Sequence, residues 1–141
     1  MPFILQKRNA RNRTLRRGAT AVEFALVAPV FFLLILSSIE VNRLNAIRHT
    51  ADNAAYEAAR HAMVPGATTA EAIAKANVIL RAVGTRGAQV TVTPSVLGPD
   101  VETIQVRVDV PLNRNGWIVP RFTRNRILTA ESTLNTERMG Q

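Results

Sequence analysis

The spacing of apolar and polar residues changes along this chain, and each change marks a different kind of element. Residues 19–39 are apolar on every side of a helix, apart from Thr20, Glu23, Ser37 and Ser38. As a helix this run would measure about 31 Å, which is close to the hydrocarbon thickness of a bilayer. The run therefore predicts one transmembrane helix.

After this run, apolar residues recur at intervals of three and four until Pro65-Gly66, which marks a stop. The spacing predicts that one helix extends from about Ala19 to Met63 and that its second half has an apolar face. Most residues on this face are small, so another element can approach closely. They are Leu44, Ile47, Ala51, Ala54, Ala55, Ala58 and Ala62.

A second helix is predicted to begin after Thr68-Thr69. Thr69 is the expected N-cap, and Glu71 lies in the first turn. Gly84 suits the end of the helix, because glycine adopts the left-handed conformation that terminates many helices. The predicted apolar stripe consists of Ala72, Ile73, Ala76, Ile79, Leu80 and Val83.

After Gly87 apolar and polar residues alternate, which is typical of strands with one buried face. The first run holds Val90 and Val92, with Val96 as a candidate extension, and Leu97-Gly98-Pro99-Asp100 supplies turn chemistry behind it. The second run contains Ile104, Val106, Val108 and Val110. A third strand, less regular, is predicted over Ile127 to Thr136. The predicted fold class is α+β, with a long N-terminal transmembrane helix, a second helix and a three-stranded antiparallel sheet.

The formal charge of +8 lies mostly in the first 18 residues. This leader has no acidic residue, and its basic residues are Lys7, Arg8, Arg11, Arg13, Arg16 and Arg17. Basic flanks stay on the cytoplasmic side of a membrane, so we expect the domain after the apolar run to be extracytoplasmic. A nucleic-acid-binding domain would instead spread its charge over a folded face. The chain has no cysteine, which excludes disulfides and thiolate metal sites.

An ordinary secretory signal peptide is the main alternative for the apolar run. Such peptides have a shorter apolar region, followed by a cleavage site of small residues. Here the run ends in Ser37-Ser38-Ile39-Glu40-Val41 without such a site, and the helical pattern continues behind it. We therefore favour a helix that stays attached to the domain.

The carboxylate of Glu23 is unusual in an apolar helix, because its insertion into a bilayer costs a few kcal/mol. It either reaches the membrane surface or has a partner. The stretch around it, Arg16-Arg17-Gly18-Ala19-Thr20-Ala21-Val22-Glu23-Phe24, joins a basic leader to a glycine, a glutamate five residues into the helix and an aromatic. This pattern resembles the class III signal of type IV-like prepilins.

A longer stretch, Arg-Gly-Ala-Thr-Ala-Val-Glu-Phe-Ala-Leu-Val-Ala-Pro, resembles the start of TadE-like proteins, the minor pilins or pseudopilins of tight-adherence (Flp) pilus systems. Asn53 to Arg60 is similar to the NAAREGAR stretch of that family and differs from it at Tyr56 and Ala58. The resemblance is strongest over residues 16–63. Across the sheet only the general pilin-like layout, a helix against a small sheet, is shared.

The resemblance implies that a prepilin peptidase cuts between Gly18 and Ala19 on the cytoplasmic side of a bacterial inner membrane, and that Glu23 and Phe24 act in assembly. Residues 1–18 would then be a cleaved leader, residues 19–40 the transmembrane helix and residues 41–141 the extracytoplasmic domain. The implied partners are the bilayer, the peptidase, the major pilin, other minor pilins and the assembly platform. In the pilus the subunit would be extracellular.

The expected function is therefore structural: a minor pilin or pseudopilin and not an enzyme, with no cofactor, metal or small-molecule substrate. The alternative is a membrane-anchored periplasmic assembly factor that is never incorporated in a filament. A cytoplasmic hydrolase or nucleic-acid-binding module would require the apolar run to be a buried core helix. Its length and basic flank argue against that.

One surface patch has two interpretations. The loop 111–126 contains Arg114, Trp117, Arg121, Arg124 and Arg126. Arginines interleaved with aromatics can bind single-stranded nucleic acid or another anionic surface. Alternatively, the loop is solvated, with its aromatics against the sheet or at the bilayer surface. We favour the second interpretation and expect no nucleic-acid partner.

Overall fold

The structure is a computed structural model that describes residues 6–98, 100–116 and 126–135, with the backbone alone for residues 6–17. It contains two compact units, Met1–Ile39 and Glu40–Gln141. The predicted α+β fold is confirmed: a long helix with an apolar segment, a second helix and a three-stranded antiparallel sheet. The elements are α1 (Gln6–Ala62), α2 (Thr69–Ala82), β1 (Gln89–Thr93), β2 (Thr103–Pro111), a 3-10 turn (Leu112–Arg114) and β3 (Ile127–Asn135).

Helix α1 begins earlier than the pattern of apolar residues predicts. Its first residue is Gln6 and not Ala19. The leader consists largely of arginine, lysine, glutamine and alanine, which are good helix formers. A single glycine, Gly18, costs a helix interior only about 1 kcal/mol relative to alanine. The helix therefore continues through the residue at which we expected it to begin.

The core of the second unit is built on the small-residue face of α1. The face predicted from the spacing is confirmed, with Leu44 half-buried at its start. Alanine side chains add almost no thickness to the helix, so the elements that cover it can lie close. The buried residues of this face, each at most 4% exposed, are Ile47, Ala51, Ala54, Ala55, Ala58, Ala59 and Ala62. They form one apolar cluster with the buried residues of α2 and the sheet.

Helix α2 is closed at both ends by local hydrogen bonds. Its N-cap is Thr68 and not the predicted Thr69: the Glu71 N–H donates to Thr68 Oγ1 at 3.3 Å, and the Thr68 N–H donates to Glu71 Oε2 at 2.9 Å. This is a capping box. At the other end Gly84, with φ +70°, allows its own N–H and that of Thr85 to return to carbonyls of the last turn.

The predicted stripe of α2 is confirmed except at its last position. Ala72, Ala76 and Leu80 are buried, whereas Val83 is 41% exposed. Val83 is the C-cap, where the chain leaves the helix. Its side chain therefore no longer follows the helical face.

The sheet has the order β1-β2-β3, and both pairs of strands are antiparallel. The alternation of apolar and polar residues sets its register, because residues directly opposite each other face the same side. The inward residues that are buried are Val92, Ile104, Val106, Val108, Val110 and Ala130. The third strand, predicted from Ile127, is confirmed as far as Asn135; Thr136 lies outside the described residues.

The first strand is shorter than its widest prediction. It ends at Thr93, and Val96 is 77% exposed. Pro94 follows the strand directly and has no N–H to donate to a neighbour. In the predicted turn behind it, the Val101 N–H donates to the Gly98 carbonyl at 3.2 Å, while Pro99 lies outside the described residues.

The outward face of the sheet carries paired charges. Arg107 donates to Asp109 at 2.9 Å and lies 3.3 Å from the Glu131 carboxylate on the neighbouring strand. Burial raises the pKa of Asp109, but hydrogen bonds from Arg107 and Thr129 outweigh it and hold that pKa below its ordinary value. Asp109 and Glu131 raise the pKa of Arg107, with the hydrogen bond to Asp109 contributing most.

The capping box gives α2 a pH dependence that can be measured. The backbone hydrogen bond from Thr68 holds the pKa of Glu71 below its ordinary value. A folded-state pKa below the unfolded one means that this stabilisation is present above the unfolded pKa and is lost as the pH falls through the folded pKa. Hydrogen-exchange protection of the first-turn amides of α2, measured on the full chain in detergent, should therefore fall at acidic pH.

The Glu71→Gln variant should lose this part of the pH dependence. Glu57→Gln is the matched control, since Glu57 lies in α1, outside the capping box, and the acid-induced loss of protection should persist in it. An identical pH profile in the wild type and in Glu71→Gln would contradict the assignment.

Candidate functional site

The first candidate site is the apolar segment of α1, whose large side chains point outward on every side. They are Val22, Phe24, Leu26, Val27, Val30, Phe31, Phe32, Leu33, Leu34, Ile35, Leu36 and Ile39, between 39% and 71% exposed. A helix that is apolar all round has to be covered by lipid or protein. Helix α1 is long and apolar enough to cross a membrane, with a mean hydropathy of 2.3 over its most apolar window.

Polar groups within this segment are mostly compatible with an apolar environment. Ser38 Oγ donates to the Leu34 carbonyl one turn earlier at 2.9 Å, so this hydroxyl has a partner without water. Phe31 and Phe32 meet edge to face, with ring centroids 6.3 Å apart. Pro29 lies inside the helix. The acidic exception is Glu23, which is exposed.

The predicted cleavage and assembly residues lie together on α1. Gly18 is helical, and a Cβ added there would meet nothing within 4 Å. Ala19 and Glu23 are four residues apart and therefore neighbours on one face of the helix. Phe24 is 70% exposed. The side chains of Lys7, Arg8, Arg11, Arg13, Arg16 and Arg17 lie outside the described residues.

The structure describes two members of the arginine patch. Arg114 and Arg126 are exposed, and the Leu112 N–H donates to the Arg126 carbonyl at 3.0 Å, which joins the two ends of the loop. Trp117, Arg121 and Arg124 lie outside the described residues. The base of the loop is therefore positioned, whereas the grouping of its aromatic and basic side chains remains a prediction.

The base of this loop is organised by Asn115, which the sequence analysis did not single out. Asn115 is 1% exposed. Its Oδ1 accepts the Arg86 N–H, and its Nδ2 donates to the carbonyls of Arg86 and Pro111, each at 2.8 Å. One side chain thus ties the connection after α2 to the end of β2.

Helix α1 also reaches this point. Arg43 Nε donates to the Asn115 carbonyl at 2.9 Å. Glu40, one turn earlier on α1, is 3% exposed. Such contacts join segments far apart in the chain, so no local pattern predicts them; the Asn115-Gly116 pair indicates only a turn.

A metal site and a ligand cavity are the two other kinds of chemical site relevant here. Within the described ranges no group of three His, Cys, Asp or Glu side chains is arranged to hold a metal ion. A cavity of about 430 Å³ lies between the α1–α2 connection and the β1–β2 loop. None of the described residues that line it has a titratable side chain. Its lining residues are Ala62, Met63, Val64, Pro65, Gly66, Ala67, Leu97, Gly98, Val101 and Ile104.

Comparison with known families gives one match. The family model described as TadE-like protein matches residues 18–60, which confirms the resemblance seen in the sequence. The match includes Gly18, Glu23 and most of α1, and ends before α2 and the sheet. It indicates a protein associated with tight-adherence pili and agrees with a membrane anchor near the N-terminus. Comparisons with curated proteins and with solved structures found no match.

Replacing Asn115 should loosen the loop base. The Asn115→Ala variant leaves one N–H and two carbonyls without their partner in a part-buried setting, which should lower the free energy of unfolding by about 2–4 kcal/mol. Hydrogen exchange at the Arg86 amide should accelerate most, because that N–H loses its acceptor, Asn115 Oδ1.

The matched control is Asn113→Ala, an exposed asparagine two residues earlier in the 3-10 turn. This variant should leave both the unfolding free energy and the Arg86 exchange rate nearly unchanged. Equal effects of the two substitutions would show that Asn115 does not hold the loop base.

Proposed function

We propose that this protein is a minor pilin or pseudopilin of a tight-adherence pilus, cut between Gly18 and Ala19 and then assembled through its apolar helix. The observation that supports this most is the exposed apolar segment of α1, which is preceded by a glycine and carries Glu23 five residues past the proposed cut. The TadE-like match covers the same residues.

The proposed cut lies inside a helix, and a peptidase binds its substrate as an extended backbone. The helix around Gly18 must therefore unwind locally before cleavage. Glycine lowers the cost of this step by about 1 kcal/mol relative to alanine, and it also places no side chain next to the cut peptide bond. Both effects support Gly18 as the residue that precedes the cut.

Cleavage would change the electrostatics of the helix end. It removes six basic side chains and creates an α-amino group on Ala19, whose ordinary pKa is about 7.7–8.0. That cation would lie one turn from Glu23 of its own chain or, in a filament, beside Glu23 of a neighbour. Neutralising the carboxylate reduces the penalty of holding it among apolar side chains.

The pair would act mainly on geometry. Desolvation offsets much of the attraction between two buried charges, so the pair contributes little net stability. If two helices are shifted along their axes, however, each charge loses its partner. The penalty of these uncompensated charges favours one axial position of the helices. Glu23 would thus set the register of assembly, while the surrounding apolar residues provide most of the favourable free energy.

The proposed cleavage can be tested by intact mass. In native membranes the intact mass should correspond to a chain that begins at Ala19, and Gly18→Ala should yield the uncleaved chain. Gly98→Ala is the matched control: like Gly18 it has no atom within 4 Å of an added Cβ, and it should be processed normally. A full-length wild-type chain would favour the anchored assembly factor, and a cut after Ser38 would indicate a secreted domain.

The second prediction concerns assembly. Glu23→Ala should be cleaved like the wild type, because Glu23 lies on the far side of Ala19 from the leader. It should then fail to co-purify with sheared pilus fractions. Glu57→Ala removes a half-buried carboxylate outside the apolar segment and should assemble normally. Normal recovery of Glu23→Ala in the pilus fraction would contradict the proposed role of Glu23 in assembly.

A further inference from the structure

The direction of the chain gives the second unit two distinct ends. Helix α1 enters it at Glu40 and ends at Ala62, and each following element reverses direction. We call the two extremities the Glu40 end and the Ala62 end. At the Ala62 end, Thr69 Oγ1 donates to the Ser95 carbonyl at 2.6 Å, which joins the start of α2 to the chain after β1.

The Glu40 end collects basic side chains that are separated in sequence. Arg43 and Arg86 both bond to Asn115, one through its side chain and the other through its backbone. Arg114 lies over Gly87, since a Cβ added to Gly87 would approach Arg114 Cδ to 3.0 Å and Nη1 to 3.1 Å. Arg126 is bonded through its carbonyl to Leu112. We call Arg43, Arg86, Arg114 and Arg126 the arginine cluster.

The cluster presents its charge to the surroundings. Arg86, Arg114 and Arg126 are exposed, and Arg43 is half-buried. The described carboxylates of Glu57, Asp109 and Glu131 form their ion pairs with Arg60 and Arg107 and not with the three exposed members. The acidic residues Glu71, Asp100 and Glu102 lie toward the Ala62 end, beside the start of α2 and the start of β2. At the Glu40 end, Glu40 is buried and Asp109 is bonded to Arg107.

Chain connectivity relates this cluster to the apolar segment. Arg43 follows Ile39 by four residues of α1, which is about 6 Å along a helix. The other members are held to Arg43 through Asn115 and the 3-10 turn. If residues 19–39 cross a bilayer, Arg43 therefore follows the apolar segment by about 6 Å of helix, and the other members of the arginine cluster belong to the same end of the second unit.

We propose that the arginine cluster binds the anionic headgroups of phospholipids in the membrane that holds α1. This inference rests on the membrane insertion contained in the proposed function. An anionic bilayer surface attracts arginines that lie within a Debye length of it. Arginine is suited to the contact because its planar group donates several hydrogen bonds to phosphate oxygens.

The chain offers a clean way to test this, since it contains no cysteine. In Asn113→Cys a fluorophore is attached in the exposed 3-10 turn at the Glu40 end, and in Val96→Cys at a 77% exposed position toward the Ala62 end. The full chain is reconstituted in vesicles of phosphatidylcholine alone or with phosphatidylglycerol. Quenching by a spin-labelled headgroup then reports contact with the surface.

We expect the label at position 113 to be quenched more strongly when phosphatidylglycerol is present, and the difference to disappear in 1 M salt, where the Debye length falls to about 3 Å. The label at position 96 should respond to neither change. In Arg86→Gln/Arg114→Gln, the ratio of surface-bound to released domain should fall on the order of fivefold for each arginine replaced. The Asn115 bonds survive these changes because they use only backbone atoms of Arg86.

The matched control is Arg60→Gln/Lys75→Gln, which removes two exposed cationic residues away from the Glu40 end. It should behave like the wild type. Quenching at position 113 that ignores lipid charge, or that is equally altered by both double variants, would overturn the proposal. A response to a single-stranded oligonucleotide in phosphatidylcholine vesicles, without a response to phosphatidylglycerol, would overturn it in favour of nucleic-acid binding.

Insertion is measured separately on the same vesicles, by flotation and alkaline extraction. A chain that is extracted by alkali would contradict the membrane insertion on which the proposed function depends. A chain that stays inserted but shows no dependence on lipid charge would leave the proposed function intact and overturn only the headgroup contact.

Discussion

Helix α1 has to suit two different surroundings within one run of hydrogen-bonded backbone. From Ala19 to Ile39 nearly all of its side chains are apolar, with Glu23 as the charged exception, and from Glu40 onward only one face is buried. The backbone needs no change between the two, because a helix satisfies its own N–H and C=O groups in water or in lipid. Side-chain pattern alone therefore sets where one unit ends and the next begins.

The one-sided half of α1 then determines how the domain is built. Its alanines permit close packing but offer little apolar area each, so the larger valines and isoleucines of the sheet supply most of the buried surface. This explains why β2, which pairs with strands on both sides, buries four of its side chains. They are Ile104, Val106, Val108 and Val110. The same packing brings the base of loop 111–126 beside the first turns of α1 in the domain.

Sequence patterns predicted the parts of this structure that depend on local periodicity. Intervals of three and four identified both helices, and strict alternation identified β2 with its inward residues. Ends were harder, because adjacent residues of the same type compete: Thr68 and Thr69 are equally good caps by composition, and only the capping-box geometry decides between them. The start of α1 was missed because charged residues can form a helix without any apolar pattern.

The candidate site likewise has a part that local sequence patterns predict and a part that they do not. Gly18, Ala19 and Glu23 are neighbours in sequence, so their spacing on one helix could be predicted. The bonds from Arg43 and Arg86 to Asn115 span 72 and 29 residues, and no local pattern encodes them. The predicted arginine patch shares Arg114 and Arg126 with the arginine cluster but omits Arg43 and Arg86, which only the tertiary fold brings to the loop base.

Magnitudes separate what holds the protein in a membrane from what orients its domain. Burying one large apolar side chain is worth about 1.5–3 kcal/mol, so the exposed side chains from Val22 to Ile39 represent on the order of tens of kcal/mol. An arginine at an anionic surface contributes about 1 kcal/mol. The arginine cluster is therefore too weak to decide whether a subunit leaves the bilayer. In the proposed headgroup contact it would favour one orientation of the domain on the surface. In the proposed function, a transfer to a filament would first replace the lipid around α1 with other apolar helices.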